Sequence, residues 1–103
     1  MESWVARKHA ADIYVVIARE ERRGNALRIV QDFRDQGKRV DYSLTPARVG
    51  KQFQTAQQLG ARFAVLIGDE WPIVKIKDLA TREERGVPAD SLQQELGMEA
   101  VPA

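Results

Sequence analysis

Residues 50–70, GKQFQTAQQLGARFAVLIGDE, decide the fold of this chain. The first half carries apolar residues at helical spacing and predicts a helix over 46–59. Thr45 is expected to be its N-cap, with Pro46 at the first helical position, and Gly60 is expected to end it. The second half contains FAVLIG, the most hydrophobic run of the chain, which predicts a buried, central strand.

Upstream of this segment, strands and a helix alternate. The β-branched run IYVVIA follows Asp12 and predicts a buried strand over 12–18. Residues 19–36 carry apolar side chains on one helical face, and Gly37 lies where a helix C-cap belongs. RVDYSL alternates apolar and polar residues, which predicts a half-buried strand over 39–44.

Downstream, the strands follow each other closely. IVKIKDL predicts a strand over 73–79, and EERGVP predicts a short last strand. Such close spacing indicates an antiparallel hairpin. A final helix near 90–96 can be capped by Asp90 or Ser91, and Gly97 is expected to end it.

The pattern as a whole predicts an α/β fold. Alternating strands and helices indicate βαβ units, so we expect a mixed, mostly parallel sheet of about five strands flanked by three helices. Phe53 and Val65 are expected in the core. Residues 1–11 are interpreted as a linker or approach segment, 12–97 as one domain and 98–103 as a C-terminal tail.

Composition limits the possible function classes. The formal net charge is +1, so any basic surface must be local. There is no cysteine and only one histidine, His9, which argues against disulfides and against thiolate or imidazole metal sites. No apolar run is long enough to span a bilayer, and the N-terminus lacks the apolar core of a signal peptide. The cytoplasm is therefore the expected location.

Catalytic motifs are nearly absent from the sequence. There is no glycine-rich phosphate loop and no GxSxG elbow, and no serine has a convincing histidine partner, because His9 lies in the approach segment. We therefore expect no catalytic residue, no metal and no cofactor in this chain.

The acidic pair Asp69 and Glu70 is the first candidate for ligand binding. It follows directly on the predicted central strand, and ligands of open α/β sheets tend to meet the carboxyl ends of strands. The alternative is an ordinary solvated turn. Trp71-Pro72 follows, either as an aromatic ring that packs in the fold or as a ring on which a base could stack.

Basic residues fall into three local groups. Lys75 and Lys77 are two residues apart on a strand and share one face, where they could meet phosphates or bases or simply keep a sheet edge soluble. Arg48 and Lys51 lie near the start of the second helix. The third group, near Arg19, alternates with glutamates and is interpreted as a solvated face of mixed charge.

Two segments resemble a known family. GKQFQTAQQLGARFAVLIGDE and VKIKDLATREE, residues 74–84, are similar to the anticodon-binding domain of class II aminoacyl-tRNA synthetases. The resemblance covers about Asp12 to Leu96, and Lys77-Asp78-Leu79 followed by a Thr-x-Glu turn is most like the histidyl enzyme. The turn DEWPIV is shorter than its counterpart in the family.

The resemblance implies site residues, here Glu70 and Lys77 as contacts to anticodon bases and Lys51 and Gln52 as further RNA contacts. Lys75 and Asp69 are added as neighbours of these groups on the strand and in the turn. Unstacked anticodon bases are an RNA feature that a protein can read by their edges. Arg62, which the motif also carries, is expected to position its strand.

The resemblance also implies partners. They are a histidine-specific tRNA and the catalytic domain of a parent synthetase, and that catalytic domain would hold ATP and magnesium. The isolated domain is expected to be monomeric and to need no membrane. The alternative is a regulatory or protein-interaction domain of a synthetase-like protein that has lost tRNA binding.

Overall fold

The computed structural model describes residues 12–92 and 94–96. The interpreted linker 1–11, the helix end at Gly97 and the tail 98–103 lie outside the described residues. The strands are β1 (Ile13–Ile17), β2 (Val40–Tyr42), β3 (Phe63–Ile67), β4 (Ile73–Asp78) and β5 (Glu84–Pro88). The helices are α1 (Arg23–Asp35), preceded by a 3-10 turn (Glu20–Arg22), and α2 (Val49–Gln58). A second 3-10 turn (Ala89–Ser91) leads into a third helix, described at 92 and 94–96.

The five strands form one mixed sheet in the order β2-β1-β3-β4-β5. β1 pairs in parallel with β2 and β3, while β4 is antiparallel to both β3 and β5. Four of the five strands therefore run in the same direction and only β4 is reversed. The mixed, mostly parallel sheet with three helices is confirmed, and β3 is its central strand.

The two faces of the sheet bury two separate clusters. Alternate residues of β1 point to opposite faces, so that Val15 joins the cluster beneath α1 and the third helix, and Tyr14 joins the cluster beneath α2. Val65 is fully buried, as predicted. Phe53 is only partly buried, because it lies at the margin of the smaller cluster; the large aromatic ring at full burial is Phe33.

Glycine ends both long helices. Gly37 has φ +85° and Gly60 has φ +73°, the left-handed region that other residues adopt at a cost. At the end of α1 the Gly37 N–H donates to the Arg34 carbonyl, and the Lys38 N–H donates to the Phe33 carbonyl. This pair of hydrogen bonds satisfies carbonyls that the helix leaves without a partner, and both predicted stops are confirmed.

The predicted start of the second helix was wrong. α2 begins at Val49, and Arg48 before it is extended, with ψ 149° and no side-chain cap. Thr45 is not an N-cap, because the chain first makes a turn in which the Ser43 hydroxyl donates to the Thr45 carbonyl at 2.6 Å. Pro46 comes directly after Thr45 and before α2 begins. None of the described helices is long and apolar enough to cross a membrane.

Candidate nucleic-acid interface

The ends of β1 and β3 meet at one edge of the sheet, because adjacent parallel strands place their carboxyl ends side by side. The Ala18 N–H donates to the Ile67 carbonyl at 2.9 Å. Next along the chain, a Cβ atom at Gly68 would come within 3.0 Å of the Ala18 Cβ. A side chain at position 68 would therefore require Ala18 to move by a few tenths of an ångström. The edge is therefore tightly packed at its base and carries polar side chains immediately above it.

Asp69 is held by Arg19 across this edge. Its Oδ1 accepts from Arg19 Nε at 2.6 Å, and its Oδ2 accepts from Arg19 Nη2 at 3.0 Å. The hydrogen bonds from Arg19 lower the pKa of the Asp69 carboxyl, and the same bonds raise the pKa of the guanidinium. Both oxygens of Asp69 are thus engaged within the protein.

Glu70 is the second carboxylate of the edge, and its side chain is 62% exposed. Its Oε1 lies 3.8 Å from Lys75 Nζ, an ion-pair distance that is longer than a hydrogen bond. The Glu70 carbonyl accepts from the Ile73 N–H at 2.8 Å, which fixes the turn that joins β3 to β4. An open cleft of about 320 Å³ lies beside it, lined by Gly68, Asp69, Glu70, Ile73 and Lys75 among others.

Lys75 and Lys77 continue from this cleft along β4. Lys75 is opposite Leu66 and Lys77 is opposite Ala64, so both lysines lie on the α2 side of the sheet. Both side chains are half-buried, and Lys77 Nζ lies 5.3 Å from the centre of the Phe53 ring. The structure brings Glu70 to Lys75, while Lys77 lies farther along the same face.

Gln52 does not reach the surface. It is 2% exposed, and its side-chain amide bonds the backbone of Ile17 and Ala47. Both of its N–H donors are used. The expectation of a direct RNA contact at Gln52 is therefore corrected to a structural role, whereas Lys51, the next residue towards the N-terminus, is exposed.

An ion pair between Arg62 and Asp78 holds the turn that follows β4. Arg62 donates from Nε and Nη2 to the two carboxylate oxygens of Asp78, both at 3.0 Å. Asp78 also accepts from the Ala80 and Thr81 N–H groups, and these bonds, after that of Arg62, lower the pKa of its carboxyl. The strand-positioning role expected of Arg62 agrees with this geometry.

Trp71 is partly buried and packs against the larger core cluster. This contact agrees with the packing interpretation rather than with a free ring for base stacking. Among residues 12–92 and 94–96, no group of three or more histidine, cysteine, aspartate or glutamate side chains is placed to hold a metal ion.

Comparison with known proteins decides the family. The model of the family described as "Anticodon binding domain" matches residues 12–98, nearly the whole chain. The chain belongs to the anticodon-binding domain family.

Relatives of this anticodon-binding domain include the histidine–tRNA ligase of Opitutus terrae, at 40% identity over 87 residues, and that of Xanthomonas campestris, at 36% over 88 residues. Each alignment covers 82% of this chain but only 20% and 18% of the relative. A crystal structure of histidyl-tRNA synthetase from Nostoc superposes with a TM-score of 0.79 and 29% identity, over 89% of this chain and 23% of that one. The chain therefore spans about a fifth of the length of these relatives.

The sequence interpretation of the anticodon-binding domain missed one residue of this edge, Arg19. Its neighbours Glu20 and Glu21 suggested a solvated face of mixed charge. The signal that could have identified it was positional: Arg19 follows β1 by two residues and Asp69 follows β3 by two residues. In paired parallel strands such positions face each other, but the pairing of β1 with β3 was not evident from spacing alone.

Proposed function

We propose that this domain recognises the anticodon arm of a histidine-specific tRNA, as the RNA-reading part of a histidine–tRNA ligase. The observation that supports the proposal best is the placement of Glu70. This exposed carboxylate stands at the carboxyl edge of the parallel strands, 3.8 Å from Lys75 Nζ, and the half-exposed Lys77 lies on the same face of the sheet as Lys75. Acceptor and donor groups thus adjoin on one surface of a domain from an anticodon-binding family.

The chemistry of these side chains fits a single-stranded loop of RNA. A carboxylate accepts hydrogen bonds from base amino and imino groups, and a lysine donates to base carbonyls or to phosphate. We assign base reading to Glu70 and assign base or phosphate contacts to Lys75 and Lys77. Lys51, exposed in the first turn of α2, is assigned to the phosphate backbone.

The chemical step belongs elsewhere in this proposal. The ligase attaches histidine to its tRNA with ATP, and ATP and magnesium would bind the catalytic domain of the parent protein. This domain contributes affinity and selection of the anticodon, in the cytoplasm where tRNA is charged. The relatives named histidine–tRNA ligases support this assignment, because the domain aligns with about a fifth of each.

The test is a titration of the 103-residue chain against RNA stem-loops that carry either the histidine anticodon GUG or a scrambled anticodon. We expect weak, salt-sensitive binding with a preference for GUG, since phosphate neutralisation releases counterions. Glu70→Gln should reduce the preference, because a base-edge hydrogen bond reports identity. Lys77→Ala should weaken binding to both loops about equally if it contacts phosphate.

Matched controls lie at the opposite end of the sheet. Glu83→Gln removes an exposed carboxylate in the turn after β4, and Lys38→Ala removes a lysine beyond α1; neither should change binding. Equal affinity of the unmodified chain for the two loops would remove the anticodon-reading claim. No binding to either loop at low salt would favour the protein-interaction alternative.

A further inference from the structure

The Arg19–Asp69 pair connects two segments that are far apart in sequence. Arg19 follows β1 and Asp69 follows β3, and the two side chains meet through two hydrogen bonds of 2.6 and 3.0 Å. Parallel two-point contact between guanidinium and carboxylate fixes the relative orientation of both groups as well as their distance. The start of the β3–β4 turn is therefore fastened to the end of β1.

Glu70 is the residue immediately after this fastening point. On its N-terminal side, Gly68 packs against Ala18 so closely that a Cβ would come within 3.0 Å. On its C-terminal side, its own carbonyl accepts from the Ile73 N–H. The Glu70 side chain itself is 62% exposed, and its Oε1 lies 3.8 Å from Lys75 Nζ.

We propose that the Arg19–Asp69 ion pair positions Glu70 for base recognition, so that Arg19 is a specificity-determining residue of the RNA site without touching the RNA. This inference rests on the proposed function. It gives different roles to the two neighbouring carboxylates, which form one acidic pair in the sequence: Asp69 holds the turn, and Glu70 contacts the base.

Because the pair is exposed, it contributes little to the stability of the fold. The side chain of Arg19 is 54% exposed and that of Asp69 is 70% exposed. Ion pairs at such positions contribute little to the free energy of folding, because water and salt screen them. Variants of the pair should therefore fold, and their effect on anticodon preference can be measured without interference from unfolding.

The competing role for Arg19 is a direct contact with an RNA phosphate, and a charge exchange distinguishes the two roles. The variants are Arg19→Asp, Asp69→Arg and the double exchange, titrated against the GUG and scrambled stem-loops. If the pair positions Glu70, each single variant lowers the GUG preference about fivefold or more, and the double exchange restores it to within about twofold, an expectation for coupled partners. Arg28→Asp, an equal change of charge on the exposed face of α1, should leave the preference unchanged.

A phosphate contact would give a different pattern. Arg19→Asp would weaken binding to both loops equally, Asp69→Arg would tighten binding to both, and the preference for GUG would stay unchanged in all three variants; this pattern overturns the inference. If the unmodified chain shows no preference at all, the proposed function fails and the inference fails with it. A preference that survives both single variants leaves the proposed function intact and overturns only the inference.

A second readout needs no RNA. Arg19 lowers the pKa of the Asp69 carboxyl, so an NMR titration of the unmodified chain should show Asp69 ionising below its ordinary range. Arg19→Gln should return it towards that range and shift the Glu70 amide resonance. An ordinary pKa for Asp69 in the unmodified chain would show that the pair does not form, and would overturn the inference whatever the RNA titrations give.

Discussion

The side-chain amide of Gln52 hydrogen-bonds both backbone polar groups of Ile17. Its Oε1 accepts from the Ile17 N–H and its Nε2 donates to the Ile17 carbonyl, each at 2.8 Å. A second bond from Nε2 reaches the Ala47 carbonyl at 2.7 Å. Gln52 thus completes the hydrogen bonding of the last residue of β1 and holds the first turn of α2 against it.

Gln52→Met should destabilise the domain strongly. Methionine fills a similar volume but leaves one N–H and two carbonyls without this partner, and each buried unsatisfied group costs about 1–3 kcal/mol. We expect a loss on the order of 3 kcal/mol in urea unfolding. Gln54→Met, on the exposed face of the same helix, is the control and should change stability by less than about 0.5 kcal/mol. Similar losses for both variants would show that the hydrogen bonds of Gln52 to Ile17 and Ala47 do not stabilise the domain.

Substitution by alanine should destabilise the domain much more at Phe33 than at Phe53. Phe33 is 0% exposed in the larger core cluster, so Phe33→Ala should cost about 3–5 kcal/mol. Phe53 is only partly buried at the edge of the smaller cluster, so Phe53→Ala should cost about 1–2 kcal/mol. Thermal or urea melts of the two variants measure the difference. A larger loss of stability for Phe53→Ala than for Phe33→Ala would show that Phe53, and not Phe33, is the more deeply buried ring.

Asp78→Asn should reveal a pH-dependent contribution to stability. The bond from Arg62, with help from two backbone N–H groups, lowers the pKa of the folded-state carboxyl. A lowered folded-state pKa stabilises the protein above the unfolded pKa, about 3.9, and this contribution disappears as the pH falls through the folded pKa. We expect a loss on the order of 1 kcal/mol at pH 7, since Arg62 is exposed.

The difference between Asp78→Asn and the unmodified chain should therefore shrink below about pH 4. Urea unfolding between pH 7 and pH 2 measures it. Asp32→Asn, on the exposed face of α1, is the control. If the difference in unfolding free energy stays constant from pH 7 to pH 2, the charge of the Asp78 carboxylate does not contribute to stability.

Substitution by alanine should change stability in opposite directions at Gly24 and Gly37. Gly24 lies in the first turn of α1 with no atom within 4 Å of a built Cβ, so Gly24→Ala should raise stability by about 0.4–1 kcal/mol through the unfolded state. Gly37 has equal space but φ +85°, so Gly37→Ala should lower stability by about 1–2 kcal/mol. Melting temperatures that move in the same direction for both would contradict the backbone argument.

Local patterns predicted most of the fold because they depend on neighbours in sequence. The strand at IYVVIA, the amphipathic face of α1 and the helix stop at Gly37 each follow from residue types at short spacing. The start of α2 was misplaced, since Thr45-Pro46 has the chemistry of a helix start but the Ser43 hydroxyl bonds the Thr45 carbonyl and the helix begins only at Val49. At this position the hydrogen bond from the Ser43 hydroxyl competes with helix formation.

The sequence by itself determined the family, the alternation of strands and helices, and the presence of Asp69, Glu70 and the lysines near the ends of strands. Only the tertiary structure decided what each of them does. The pairing of β1 with β3 brings Arg19, 50 residues away, onto Asp69 and leaves Glu70 exposed, and the packing of α2 on β1 withdraws Gln52 from the surface. The physical reason is that a hydrogen bond depends on distance in space, and spacing along the chain specifies that distance only within a helix, a strand or a turn.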